Sequence, residues 1–154
     1  MEAILEEHKL ILEKESEVKI ENIMPRKDIS DFKTRGAFTP AKKIDCGNYY
    51  TIYVSGIEPL KEESSNLVIK KDIESQTHEV FEQIGEILEQ AGACFDNVVK
   101  AVIYVTNIKY FEIVSPIRAK YFENSMPAST MVEVSRLKRD GAKIEIEVTA
   151  MIEK

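Results

Sequence analysis

Glu145 and Glu147 stand two residues apart in the run Lys143–Ala150, KIEIEVTA. If that run is a strand, both carboxylates leave the same face about 7 Å apart. Like charges at that spacing raise each other's pKa once water is excluded, and a raised carboxylate can carry protons near neutral pH. A solvated strand face shows the same spacing, so the pair alone does not decide. Other reactive groups are sparse. His8 and His78 are the only histidines, and Cys46 and Cys94 have no C-x-x-C spacing. No metal site is expected from them, and both histidines read as surface residues of helices. Neither G-x-x-x-x-G-K-[ST] nor G-x-G-x-x-G occurs, so no nucleotide cofactor is expected. Ser55-Gly56 follows a strand-like run, but no histidine is placed to turn Ser55 into a nucleophile.

The elements that must position these groups read as α+β. Residues 2–14 carry a helical stripe, and residues 16–22 a period-two pattern, so 1–35 read as an N-terminal extension of a helix and a short strand. The domain proper follows at 36–154. Gly47-Asn48 between strand-like runs predicts a hairpin, with Tyr49–Ser55 as its second strand. Residues 56–66 read as a polar loop, and 67–69 as a brief edge strand. Asp72 is a predicted N-cap for a helix that Gly92 ends, and Gly85 inside it predicts a close backbone approach. Val98–Thr106 reads as a central strand. Ser115-Pro116 predicts a helix N-cap and first residue, giving a helix over 116–123. Residues 130–137 and 144–152 read as two final strands, the last with Ile144, Ile146, Val148, Ala150 and Ile152 on one face. A single sheet with helices on one face leaves its other face open to oligomerisation, for which Tyr49, Tyr53 and Tyr104 are candidate contacts.

Composition bounds the function. The 154 residues suffice for one domain that needs no disulfide or metal staple. A net charge of -6 repels phosphate backbones, so nucleic acid is not an expected partner. Two unpaired cysteines, no signal-peptide pattern and no apolar run long enough to span a bilayer predict a cytoplasmic protein with no membrane partner.

Five segments together resemble one family, YjgF/RidA, also known as L-PSP or "translation initiation inhibitor" proteins. They are IYVSGIEP at 52–59, DIESQTHEVFEQIGEILEQAG at 72–92, DNVVKAVIYVTN at 96–107, MPASTMVEVSRL at 126–137 and KIEIEVTA at 143–150. The resemblance implies a sheet with two helices on one face, similar to chorismate mutase. It also implies a homotrimer binding small ligands in clefts between subunits, and hydrolysis of enamines or imines to keto acid and ammonia. The catalytic Glu of that family falls on Glu145, and its ligand-binding positions on Phe38, Ser55, Gly56, Ser115, Ser129 and Met131. Ser129 stands where the family has an Arg that grips the substrate carboxylate. Ser115 stands for an Asn, Met131 for a Cys, and Phe38 for the entrance aromatic, usually Tyr. Loss of the guanidinium removes charge-assisted bonds of about 1.5–3 kcal/mol each. The chain is therefore expected to be a divergent member: a deaminase working through Glu145, or a non-catalytic ligand-binding or regulatory trimer. RNA cleavage fits the acidic balance least.

Overall fold

The computed structural model describes residues 18–23, 38–63 and 66–154. The helix expected over 2–14, with His8, lies outside them. Among the described residues, eight strands and two helices follow in the order β1 Ile20–Ile23, β2 Ala41–Asp45, β3 Tyr49–Ile57, β4 Lys61–Glu63, β5 Asn66–Val68, α1 Ile73–Gln90, β6 Val98–Val105, α2 Phe111–Tyr121, β7 Ala128–Glu133 and β8 Ile144–Glu153. Six strands form one mixed sheet in the order β1-β2-β3-β8-β6-β7, and β4-β5 form a separate hairpin. Only β6 and β7 run parallel, joined through α2. This is the expected α+β sheet with two helices, and the short strand expected within residues 16–22 is its edge strand β1.

Strand β8 sits centrally because its pattern can fill both sides of a half-covered sheet. Ile144, Ile146, Val148 and Ala150 are buried in the core. They meet Ile52 and Val54 of β3, Ala101, Ile103 and Val105 of β6, and the α1 stripe Val80, Phe81, Ile84, Ile87 and Leu88. Val114 and Ile117 of α2 join the same cluster. Asp72 caps α1, accepting the Ser75 N–H at 2.7 Å. A Cβ on Gly85 would lie 3.2 Å from the Phe95 ring, the close approach expected of that position. Beside it, Phe81 and Tyr121 stack with centroids 4.3 Å apart.

Three elements differ from the sequence reading. Helix α2 starts at Phe111, so Ser115 is no N-cap and Pro116 lies inside the helix. The start is fixed upstream, where Asn107 accepts the Lys109 N–H and Glu133 accepts the Ile108 N–H at 2.7 Å. Exposed Pro116 then costs the helix one bond to the Glu112 carbonyl. Strand β7 runs over Ala128–Glu133 and pairs parallel with β6. It stops early because the chain then turns toward Glu58, which accepts the Lys138 N–H at 2.7 Å. The segment 56–66 is only partly loop, since β3 continues to Ile57 and Lys61–Glu63 pairs with Asn66–Val68.

Gln76 ties the elements together from within α1. It is fully buried, donates to the carbonyls of Lys70 and Gly141 at 2.6 and 2.8 Å, and accepts the Lys143 N–H at 2.8 Å. An apolar side chain there would orphan all three backbone groups. Gln76→Leu is expected to lower stability by about 3 kcal/mol or more. Urea denaturation with an unchanged m-value checks this, and a loss under about 1 kcal/mol would show that the groups find other partners.

Candidate functional site

A β-bulge builds the first group of side chains. Val54 pairs with Val148 and Ile57 with Ile146, so Ser55 and Gly56 share one partner position on β8. The bulge returns Ile57 to the core and bows the strand outward. Glu145 fills the space this leaves. A Cβ on Gly56 would lie 1.9 Å from the Glu145 Oε1, so only glycine lets the carboxylate rest against this backbone. Ser55 Oγ donates to the Thr39 carbonyl at 2.8 Å, holding the Phe38–Thr39 segment against the bulge.

The resulting cavity of about 300 Å³ is lined by Phe38, Ser55, Gly56, Glu58, Arg139 and Glu145, with Ile57, Leu60, Gln83 and Lys138 completing its wall. Two carboxylates face it in different states. Glu58 is buried and accepts from the Lys138 N–H at 2.7 Å and the Arg139 guanidinium at 3.2 Å. Glu145 makes no hydrogen bond among the described residues. Burial pushes its pKa up, and the negative charges of Glu58 and Glu147 add to that, against partial relief from Arg139 and Lys138. Glu147, on the same strand face, lines a neighbouring hollow with Tyr53, Lys42 and Lys100. Tyr104 lies on that face too, its hydroxyl pushed up by burial and by Glu147 and Glu145.

The remaining predicted residues form a second group. Ser129 pairs with Ala101 and Met131 with Ile103, both core residues, so Ser129 and Met131 lie on the helix-covered face. Glu145 pairs with Tyr104 and lies on the opposite face. Ser115 of α2 joins Ser129 through one side chain. The Arg118 guanidinium donates to Ser129 Oγ at 3.2 Å and to Ser115 Oγ at 3.1 Å. Phe38, Ser55, Gly56 and Glu145 thus come together within one chain, Ser115 and Ser129 come together elsewhere, and Met131 packs partly buried beside them. His78 sits on α1 with Nδ1 3.1 Å from the Tyr121 hydroxyl. Among the described residues no group of three or more His, Cys, Asp or Glu could hold a metal ion.

The family model described as Endoribonuclease L-PSP matches residues 29–152. The chain belongs to that family. A RutC family protein of Saccharolobus solfataricus is 43% identical over 103 residues, covering 67% of this chain and 79% of that one. The 2-iminobutanoate/2-iminopropanoate deaminase of Mus musculus is 36% identical over 129 residues, covering 82% and 91%. A Rid-family protein of Yersinia pestis superposes with a TM-score of 0.70 at 34% identity, covering 87% of this chain and all of the other. A YjgF-family protein of Mycobacterium tuberculosis gives 0.72 at 28%, with the same coverage. The fold is therefore the YjgF type. No described helix is long and apolar enough to cross a membrane.

Sequence reasoning missed Glu58, Lys138 and Arg139 in this cavity. Their signal is weak, because Glu58 and Arg139 are 81 residues apart and meet only through the bulge and the turn before β8. Two outcomes follow for Glu145. Its raised pKa means that stability is lost as pH rises from the ordinary Glu value of about 4.3 through the folded value. Glu145→Gln should therefore melt higher than the parent at neutral pH, with the gain vanishing below about pH 4. Thermal melts across pH check the sign, and an equal gain at all pH values would assign it to packing. Gly56→Ala should leave the fold intact, because only a flexible side-chain end must move, but shift the Glu145 carboxyl titration. Carbon-detected NMR of that carboxyl reads the shift.

Proposed function

We propose that the chain hydrolyses small imines or enamines to a keto acid and ammonia, in a cleft that neighbouring copies of a homotrimer share. The observation that carries this is Glu145, a carboxylate open to a cavity, without a hydrogen-bonding partner among the described residues and with its proton affinity raised. Such a group serves both halves of the reaction. A water oxygen bonds to the imine carbon as one of its protons passes to Glu145. Glu145 returns that proton to the nitrogen, which has taken the C=N π electrons, giving a carbinolamine. It then carries the hydroxyl proton to the nitrogen as well, so the C–N bond breaks and ammonia leaves as the carbonyl forms. Relatives named 2-iminobutanoate/2-iminopropanoate deaminase in mouse and human support the substrate class.

The shared cleft is supported by the pleat. Ser129 and Met131 lie on one face of the sheet and Glu145 on the other, so one chain does not bring both groups to one ligand. In this reading Phe38, Ser55, Gly56 and Glu145 come from one copy, and Ser115, Ser129 and Met131 from the next. Tyr53, Tyr104 and Val132 would sit where the uncovered sheet faces meet; Tyr53 is 52% exposed. We place the protein in the cytoplasm, where the exposed thiols of Cys46 and Cys94 stay reduced. A non-catalytic ligand-binding trimer is the second reading, favoured by a serine at position 129. RNA cleavage is disfavoured by the charge of -6.

The test is release of 2-oxobutanoate from 2-iminobutanoate generated in solution. Glu145→Gln is expected to lower kcat by about 10²–10⁴-fold. Turnover that survives the substitution would remove Glu145 from the mechanism, and no turnover by the parent would favour the binding protein. Sedimentation should give three times the 17.6 kDa chain mass.

A further inference from the structure

Among the described residues, Arg118 is a cation without a counter-ion, in a chain rich in carboxylates. The sequence has 27 Asp and Glu against 21 Lys and Arg. Even so, Arg118 makes no ion pair among the described residues, and its guanidinium is held only by the hydroxyls of Ser115 and Ser129. Its helical neighbours at three and four residues are Val114, Ser115, Tyr121 and Phe122, none of them acidic. Ser129 sits between Ala128 and Thr130 and pairs with Ala101, again without a carboxylate.

The hydroxyls do not neutralise the guanidinium. Each accepts one N–H, and neither donates to another described residue. Both O–H groups and the unused guanidinium N–H groups are therefore left as donors around one partly exposed positive charge. Such a cluster suits a planar carboxylate, which takes paired bonds from a guanidinium. Its place favours a ligand too. Strand β7 is the outer edge of the sheet, and its approach passes through Met126, held at φ 41° and 81% exposed. A non-glycine residue in left-handed backbone costs of order 1–3 kcal/mol and persists where the surroundings impose it.

We infer that Arg118, oriented by Ser115 and Ser129, is the carboxylate-binding residue for a 2-keto or 2-imino acid. The positive charge absent from position 129 is thus supplied from the neighbouring helix α2. The inference rests on the shared-cleft reading above for the reaction, but the anion site itself does not need it. The cluster also explains the small side chain at 129, because a longer one would occupy the space the guanidinium fills.

The test is binding of 2-oxobutanoate, followed by titration calorimetry in the full chain. Arg118→Gln should weaken binding by tenfold or more, and Lys120→Gln, which removes an exposed charge from another face of α2, should leave it within about twofold. Equal binding by Arg118→Gln and the parent would overturn the proposal. Arg118→Ser should lose binding, and adding Ser129→Arg to it should recover most of it. A double variant that folds yet binds no better than Arg118→Ser would place the anion elsewhere. The two readings fail separately. Arg118-dependent binding without imine turnover would leave the anion site and remove the hydrolysis. Turnover whose KM is unchanged by Arg118→Gln would do the reverse.

Discussion

Strand β8 is paired on both edges, with β3 and β6, while the described helices cover only one of its faces. Its period of two must therefore put Ile144, Ile146, Val148 and Ala150 inward and Glu145 and Glu147 outward. A slip of one residue would bury both carboxylates among Phe81, Ile84 and Leu88, at a desolvation cost no single-domain stability could absorb. The register of the whole sheet follows from that penalty. So does the position of Glu145, fixed on the uncovered face beside the end of β3.

The bulge at Ser55-Gly56 opens a cavity beside this position. A regular strand would carry a Cβ into the carboxylate. The extra residue and the missing side chain instead leave a pocket, and Glu58 with Arg139 closes its far wall. Glu145 is held half-buried between two other carboxylates, with its charge partly offset by Lys138 and Arg139. The raised proton affinity there costs stability once the carboxylate ionises.

On the other face, the parallel crossover β6-α2-β7 sets α2 beside the edge strand. Position 118 on that helix then reaches position 129 on the strand. In the reading proposed above, the guanidinium on α2 stands in for the charge that the resemblance places at 129.

Much of this was legible in the sequence. Periodicity gave α1 with its Asp72 cap, the Gly47-Asn48 hairpin, and the inward face of β8, because each depends on neighbours within a few residues. The family pattern pointed to Glu145, Ser55 and Gly56. Local signals misplaced the start of α2, because Pro116 after Ser115 imitates a helix start while the true one is fixed by Asn107 and by Glu133, 25 residues away from the N–H it accepts. They also could not show β7 lying parallel to β6. The contacts that matter most join residues far apart in the chain: Gly56 against Glu145, Glu58 with Arg139, and Gln76 with Gly141. Even Arg118 and Ser129, 11 residues apart, meet only because a helix reverses the chain between two parallel strands. Sequence alone determined which residues face inward along each element, since that is a matter of period and desolvation. Only the tertiary structure decided which outward-facing groups meet, since that depends on a bulge, a register and a crossover that no local stretch of residues encodes.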